Sequence, residues 1–135
     1  MTIPIGKLRG ISYDLEARLK QQGIYNSDQL LELACTPAGR QGLAAQVKVN
    51  THAILELANR ADLARVCGIG GVFSDLLEHA GVDTAKELAE RRPDNLHAKL
   101  LETNAQAKLA GRLPTLQAVA DWVAQAKELP RLMEY

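Results

Sequence analysis

Two glycine-bearing stretches carry most of the chemistry this chain offers. The fuller one is Cys67-Gly68-Ile69-Gly70-Gly71, in which glycines flank a single apolar residue. Such a stretch makes a tight turn whose backbone can reach positive φ and lie bare to a partner. A helix starting after it would aim free N–H groups at the turn, and helix starts attract anions, phosphate above all. An imperfect copy stands at Arg9-Gly10-Ile11-Ser12-Tyr13, where the second glycine is missing.

Other chemistry finds less support. His52, His79 and His97 are far apart, no Cys-x-x-Cys occurs, and no two of the His and Cys residues stand at i, i+3 or i+4 on one helix, so no metal is expected. Cys67 beside a helix start, with His79 one helix away, is the nearest approach to a nucleophile and base. An apolar or half-buried thiol is the commoner role for such a cysteine. Carboxylates are scattered as on a solvated helical surface, and no Walker-type phosphate loop is present. The expectation is a non-enzymatic protein with no catalytic residue, cofactor or small-molecule substrate.

The elements around these turns read as helices. Of the 135 residues, 47% are apolar and 24% charged, which fits a folded chain, and aromatics make up only 4%. Ala and Leu dominate, and both favour helix over strand. Sixteen basic residues balance sixteen acidic ones, whereas a dedicated nucleic-acid binder carries a basic excess. Cys35 and Cys67 are expected as free thiols in a reducing compartment. The first residues have no apolar core or cleavage pattern, and no run approaches a membrane span. A cytoplasmic location is therefore expected.

Shifting the chain by about 58 residues aligns its halves. Ile5 falls on Leu63, Lys7 on Arg65, Leu8 on Val66, and Gly10-Ile11 on Gly68-Ile69. Leu15 meets Phe73, Leu19 meets Leu77, Gly23-Ile24 meets Gly81-Val82, and Leu30 meets Leu88. In the first half, helices are expected from Ser12 to Gln22, after Asn26, from Thr36-Pro37 and from Asn50. In the second, Asp62 opens a short turn, helices follow at Val72 to Ala80, at Thr84 and at Pro93, and Asn104 is matched to Asn50. A last helix from Thr115, with Leu116, Val119, Val123 and Ala126 on one stripe beside Trp122, has no counterpart in this alignment. The whole predicts nine or ten short helices in three segments: repeat units at 1–61 and 62–112, and a C-terminal helix and tail at 113–135.

Helix, then apolar-x-Gly-apolar-Gly, then helix is the helix-hairpin-helix pattern, and Val66-Cys67-Gly68-Ile69-Gly70 has every required type. Nearly the whole chain resembles an uncharacterised bacterial family, a domain of unknown function built of tandem helix-hairpin-helix units. The resemblance implies an all-α, SAM-like fold with two such units in one compact body. Other helix-hairpin-helix proteins grip DNA without reading its sequence, through hairpin backbone N–H groups and nearby cations. Carried over, the contacts would be Gly68, Ile69, Gly70 and Gly71 with Arg65, and Gly10, Ile11 and Ser12 with Lys7 and Arg9. DNA-binding members place Lys or Arg early in the second helix; this chain has Asp75 and Glu78 there, and Asp14 and Glu16 in the first copy. Carboxylates repel phosphate. The charge balance thus favours a protein-interaction or adaptor role, or self-association, with duplex DNA as the alternative. Arg91-Arg92 closes a helix, where cations are favoured anyway, and the tail Leu132-Met133-Glu134-Tyr135 is expected to dock on this chain or a neighbour.

Overall fold

Side-chain oxygens decide where most of the helices begin. Ser12, Asn26, Thr36, Asn50, Thr84 and Thr115 each accept from the backbone N–H three residues on, which satisfies one of the donors a helix start leaves over. In the computed structural model, which describes residues 2–135, these caps open α1 (Tyr13–Gln21), α2 (Ser27–Ala34), α3 (Pro37–Val47), α4 (Thr51–Leu63), α6 (Ala85–Ala89) and α8 (Leu116–Glu128). Two more helices, α5 (Gly71–His79) and α7 (Pro93–Ala107), start without a side-chain cap. A 3-10 turn at Ile5–Lys7 precedes them all. The described residues form no strand beyond one isolated bridge between Pro4 and Asn26.

Among the described residues eight α-helices replace the nine or ten expected, because two expected starts lie inside longer helices. Asp62 belongs to the last turn of α4, and Asn104 lies within α7. Asn104 instead clasps the loop that follows, donating to the carbonyl of Ala110 at 2.9 Å and accepting from its N–H at 2.8 Å.

The helices recur in order. Gly71 stands 58 positions after Tyr13 and Ala85 stands 58 after Ser27, but Leu116 follows Thr51 by 65. The extra length lies in α7, which has 15 residues against 11 in α3, and in the loop before α8, so α8 and not the Asn104 region answers to α4. Packing agrees: α4 lies on α2 and α3, and α8 lies on α6 and α7. Both α4 and α8 have 13 residues and an N-cap that accepts three residues on.

Two apolar cores result. One gathers Ile5, Leu19, Leu30, Val47 and Ile54, the other Ile69, Leu77, Leu88, Leu100, Val119 and Trp122. They meet at the end of α4, where Leu63 enters the second and Ala64 the first. Asp62, there 2% exposed, accepts from Arg65 Nη1 at 2.9 Å and from the N–H of Ala85 at 2.8 Å. At the matching place in the first half, the Ile3 carbonyl accepts from the N–H of Ser27. A side chain does in one half what the main chain does in the other. No helix among the described residues is long and apolar enough to cross a membrane.

Candidate functional site

The two glycine turns are built alike. Gly10 has φ +85° and Gly68 φ +97°, a region that admits glycine without penalty. Each precedes an inward apolar residue: Ile11 is half-buried against the first core, and Ile69 is fully buried in the second. Beyond the turns, Ser12 Oγ accepts from the N–H of Leu15 at 3.1 Å, whereas Gly70 has no side chain to offer α5.

The turns lie side by side. A Cβ on Gly71 would collide with the carbonyl oxygen of Lys7, so the two backbones touch there. They share a shallow concavity to which the first turn gives Lys7, Leu8, Arg9, Gly10 and Ile11, and the second gives Gly70, Gly71 and Val72. Its charged lining residues are Lys7 and Arg9, both exposed; Arg9 Nη2 also reaches the Leu109 carbonyl at 3.4 Å. Tyr13, 92% exposed, and Val72, 38% exposed, stand at the starts of α1 and α5. Around Gly70 the space is open, with nothing within 4 Å of where a Cβ would stand.

Other sequence-named residues are placed differently. Arg65 is turned to Asp62 and to the Pro130 carbonyl, which Nη2 reaches at 2.7 Å, and it does not line this concavity. Asp75 and Glu78 face Arg60, whose Nη2 lies 3.3 Å from Asp75 Oδ1 and 3.2 Å from Glu78 Oε1. They are thus engaged with a cation of α4 and are not lining residues of the concavity. Burial pushes the Glu78 carboxyl above its ordinary value, against the opposing pull of Arg60. In the first half, Asp14 is exposed, while Glu16 pairs with Lys20 at 3.0 Å. His79 directs Nδ1 to the Asp75 carbonyl at 2.8 Å. Both thiols are free, Cys67 exposed and Cys35 half-buried. Among the described residues, no group of three or more His, Cys, Asp or Glu is placed to hold a metal ion.

Three side chains support the turns; Trp122 stood out in the sequence as a core or inter-unit anchor, and Gln125 and Arg60 did not. Trp122 closes over the second turn, where a Cβ on Gly68 would stand 2.9 Å from its Nε1, and its ring meets Phe73 at 5.2 Å. Gln125 holds Cys67 by both main-chain groups, accepting from its N–H at 2.9 Å and donating to its carbonyl at 3.3 Å. Arg60 lies under the first turn, with Nη1 3.3 Å from where a Gly10 Cβ would stand. Arg60 and Gln125 are 65 positions apart, the same interval that separates α4 from α8. Aligning those helices is the signal that finds them.

One family model, described as a domain of unknown function (DUF4332), matches residues 9–129. The chain belongs to the DUF4332 family. The matched span takes in both turns and all eight helices of this DUF4332 chain, and leaves the tail from Pro130 outside it. Comparison with curated proteins and with solved structures returned no match.

Proposed function

We propose that this DUF4332 chain is a non-enzymatic binding module on a tandem helix-hairpin-helix scaffold, and that the face where its two turns meet docks a protein partner. The single observation that carries the reading is the make-up of that face. The second turn contributes Gly70, Gly71 and Val72 and no charged side chain, while Tyr13 stands exposed at the start of α1. An exposed aromatic beside a bare, shallow backbone surface suits a protein contact, where aromatic anchors dominate binding energy. Sequence-nonspecific DNA binding rests on neutralising phosphates, and among the described residues that line the concavity the cations are Lys7 and Arg9.

Duplex DNA is the second reading. It is favoured by the uncapped start of α5 beside those two cations, and by the engagement of Asp75 and Glu78 with Arg60.

Fluorescence anisotropy with a duplex across a salt series separates the two. The docking reading expects no binding at about 50 mM salt, where phosphate contacts are weakly screened. Micromolar or tighter binding that falls steeply with salt, and is lost in Gly70→Asp, overturns it in favour of DNA. A photo-crosslinking residue at position 13 supplies the positive arm. Discrete protein adducts in cells that disappear with Gly70→Asp are expected, and adducts indifferent to that change would count against this face.

A further inference from the structure

The concavity shared by the two turns carries charge of one sign. Its charged lining residues are Lys7 and Arg9, and no carboxylate is among the described residues that line it. Other recesses of the molecule mix both signs: Asp28 and Glu32 with Arg65 beside α2, and Asp62 and Glu87 with Lys86 and Arg131 beside the tail. Carboxylates close to the turns are turned elsewhere. Glu16 pairs with Lys20, Asp75 and Glu78 face Arg60, and Asp14 is exposed on α1 without lining the concavity. Among the described residues neither Lys7 nor Arg9 is in an ion pair. Beside them α5 begins without a side-chain cap, and its first residues, Gly71 and Val72, line the same concavity. The positive end of that helix adds to the field of the two cations.

A partner that covers this face meets those cations. Taking a charge out of water is costly unless a counter-charge comes with it. A neutral apolar segment would therefore strand Lys7 and Arg9, and a basic one would be repelled. A segment carrying carboxylates pairs with both, and the field steers it to the face as it approaches. Val72 and Tyr13, exposed at the starts of α5 and α1, offer an apolar contact that the phosphate rim of a duplex does not use. Resting on the docking reading above, we propose that the protein docked here presents an acidic segment. Its carboxylates pair with Lys7 and Arg9, and an apolar side chain next to them lies on Val72 and Tyr13.

The test pans a random peptide library, displayed on phage, against the full chain. Gly70→Leu fills the open space at the face without adding charge, and clones that bind the parent but not this variant are kept. Asp and Glu should be enriched several-fold in those clones, beside an aliphatic or aromatic residue. A synthetic peptide from such a clone should lose affinity by about tenfold or more to the double variant Lys7→Glu, Arg9→Glu. Changing the peptide's own acidic residues to Lys should restore binding to that double variant, which also shows that the variant is folded. Face-dependent clones without acidic enrichment, a double variant that binds as the parent does, or a loss without rescue each overturn the acidic partner and leave the docking reading standing. If no clone depends on Gly70, the docking reading falls and the acidic partner with it. Displacement of the peptide by micromolar duplex DNA at about 50 mM salt assigns the two cations to phosphate, and overturns the proposal in favour of DNA.

Discussion

At Gly71 a single missing carbon sets how closely the two turns can lie. Its neighbour there is a main-chain carbonyl, that of Lys7, which cannot swing aside as a side-chain end could. Gly71→Ala should therefore force the turns apart and lower Tm by on the order of 5–10 °C, the scale of overpacking in a chain of this size. Gly70→Ala meets open space at a φ of −101° and should change stability by less than about 0.5 kcal/mol. Thermal unfolding of the pair checks both, and equal effects would mean the turns do not touch. Glu78 supplies a second prediction at this scale. Its Oε2 is buried with no hydrogen-bond partner, which is why burial outweighs Arg60 and raises its pKa above 4.5. A raised pKa means the folded state holds the proton more tightly than the unfolded chain does. The resulting stability is full below about 4.5 and is lost as pH rises through the folded value. Glu78→Gln has no such loss and keeps the Arg60–Asp75 pair. The Tm difference between variant and parent should move in the variant's favour between about pH 4 and pH 7, and a trend of opposite sign would mean that pairing with Arg60 prevails.

Among the elements, helix starts were legible and their tertiary partners were not. Asn26, Thr36, Asn50, Thr84 and Thr115 all cap as their sequence contexts indicate, because a cap is closed within four residues. Gly23 and Gly81, which the repeat pairs, both take positive φ directly after a helix, a local feature of the same kind. Asp62 looked like a turn opener, yet its acceptor role reaches Ala85, 23 residues away. Arg65 looked like a hairpin cation, but its partners include a carbonyl 65 residues on. No local pattern encodes either distance. The equivalence of α4 and α8 was hidden by the greater length of α7 and of the loop after it, which break the constant 58-residue interval. That equivalence yields a prediction. Asn50→Ala and Thr115→Ala remove the same bond from helices of the same length, at 2.8 and 3.0 Å. Each should cost about 1 kcal/mol in denaturant unfolding. Asp62→Ala should cost about 3–5 kcal/mol, since it leaves the Arg65 cation without that carboxylate and a buried N–H unmade. Equal losses in all three would mean Asp62 does not bind the start of α6.

For the whole molecule, the question is whether two cores make two independent bodies. Three fasteners join them, two between the first turn region and α5 and one at the tail. Arg60 on α4 pairs with Asp75 and Glu78 on α5, the Lys7 carbonyl rests on Gly71, and the tail after α8 buries Met133 in the first core. The end of α4 also feeds both cores, since Leu63 and Ala64 diverge there. A continuous helix cannot melt on one side of such a junction without exposing apolar surface on the other. The chain should therefore unfold as one cooperative unit, and its composition supplies the probe. Trp122 is the only tryptophan, and it is buried in the second core, so its fluorescence reports that half alone. Far-ultraviolet circular dichroism reports every helix. The two transitions should coincide in denaturant and in heat, the usual sign of all-or-none unfolding. Arg60→Met removes the best-placed fastener and strands two carboxylates, a loss of about 3–5 kcal/mol for a buried pair. Its fluorescence midpoint should fall with, or ahead of, the dichroism midpoint, because the stranded charges sit on α5 beside Trp122's own core. A parent chain whose two probes already separate would instead mean that the halves fold independently, and that the turn-bearing face is a contact between two bodies.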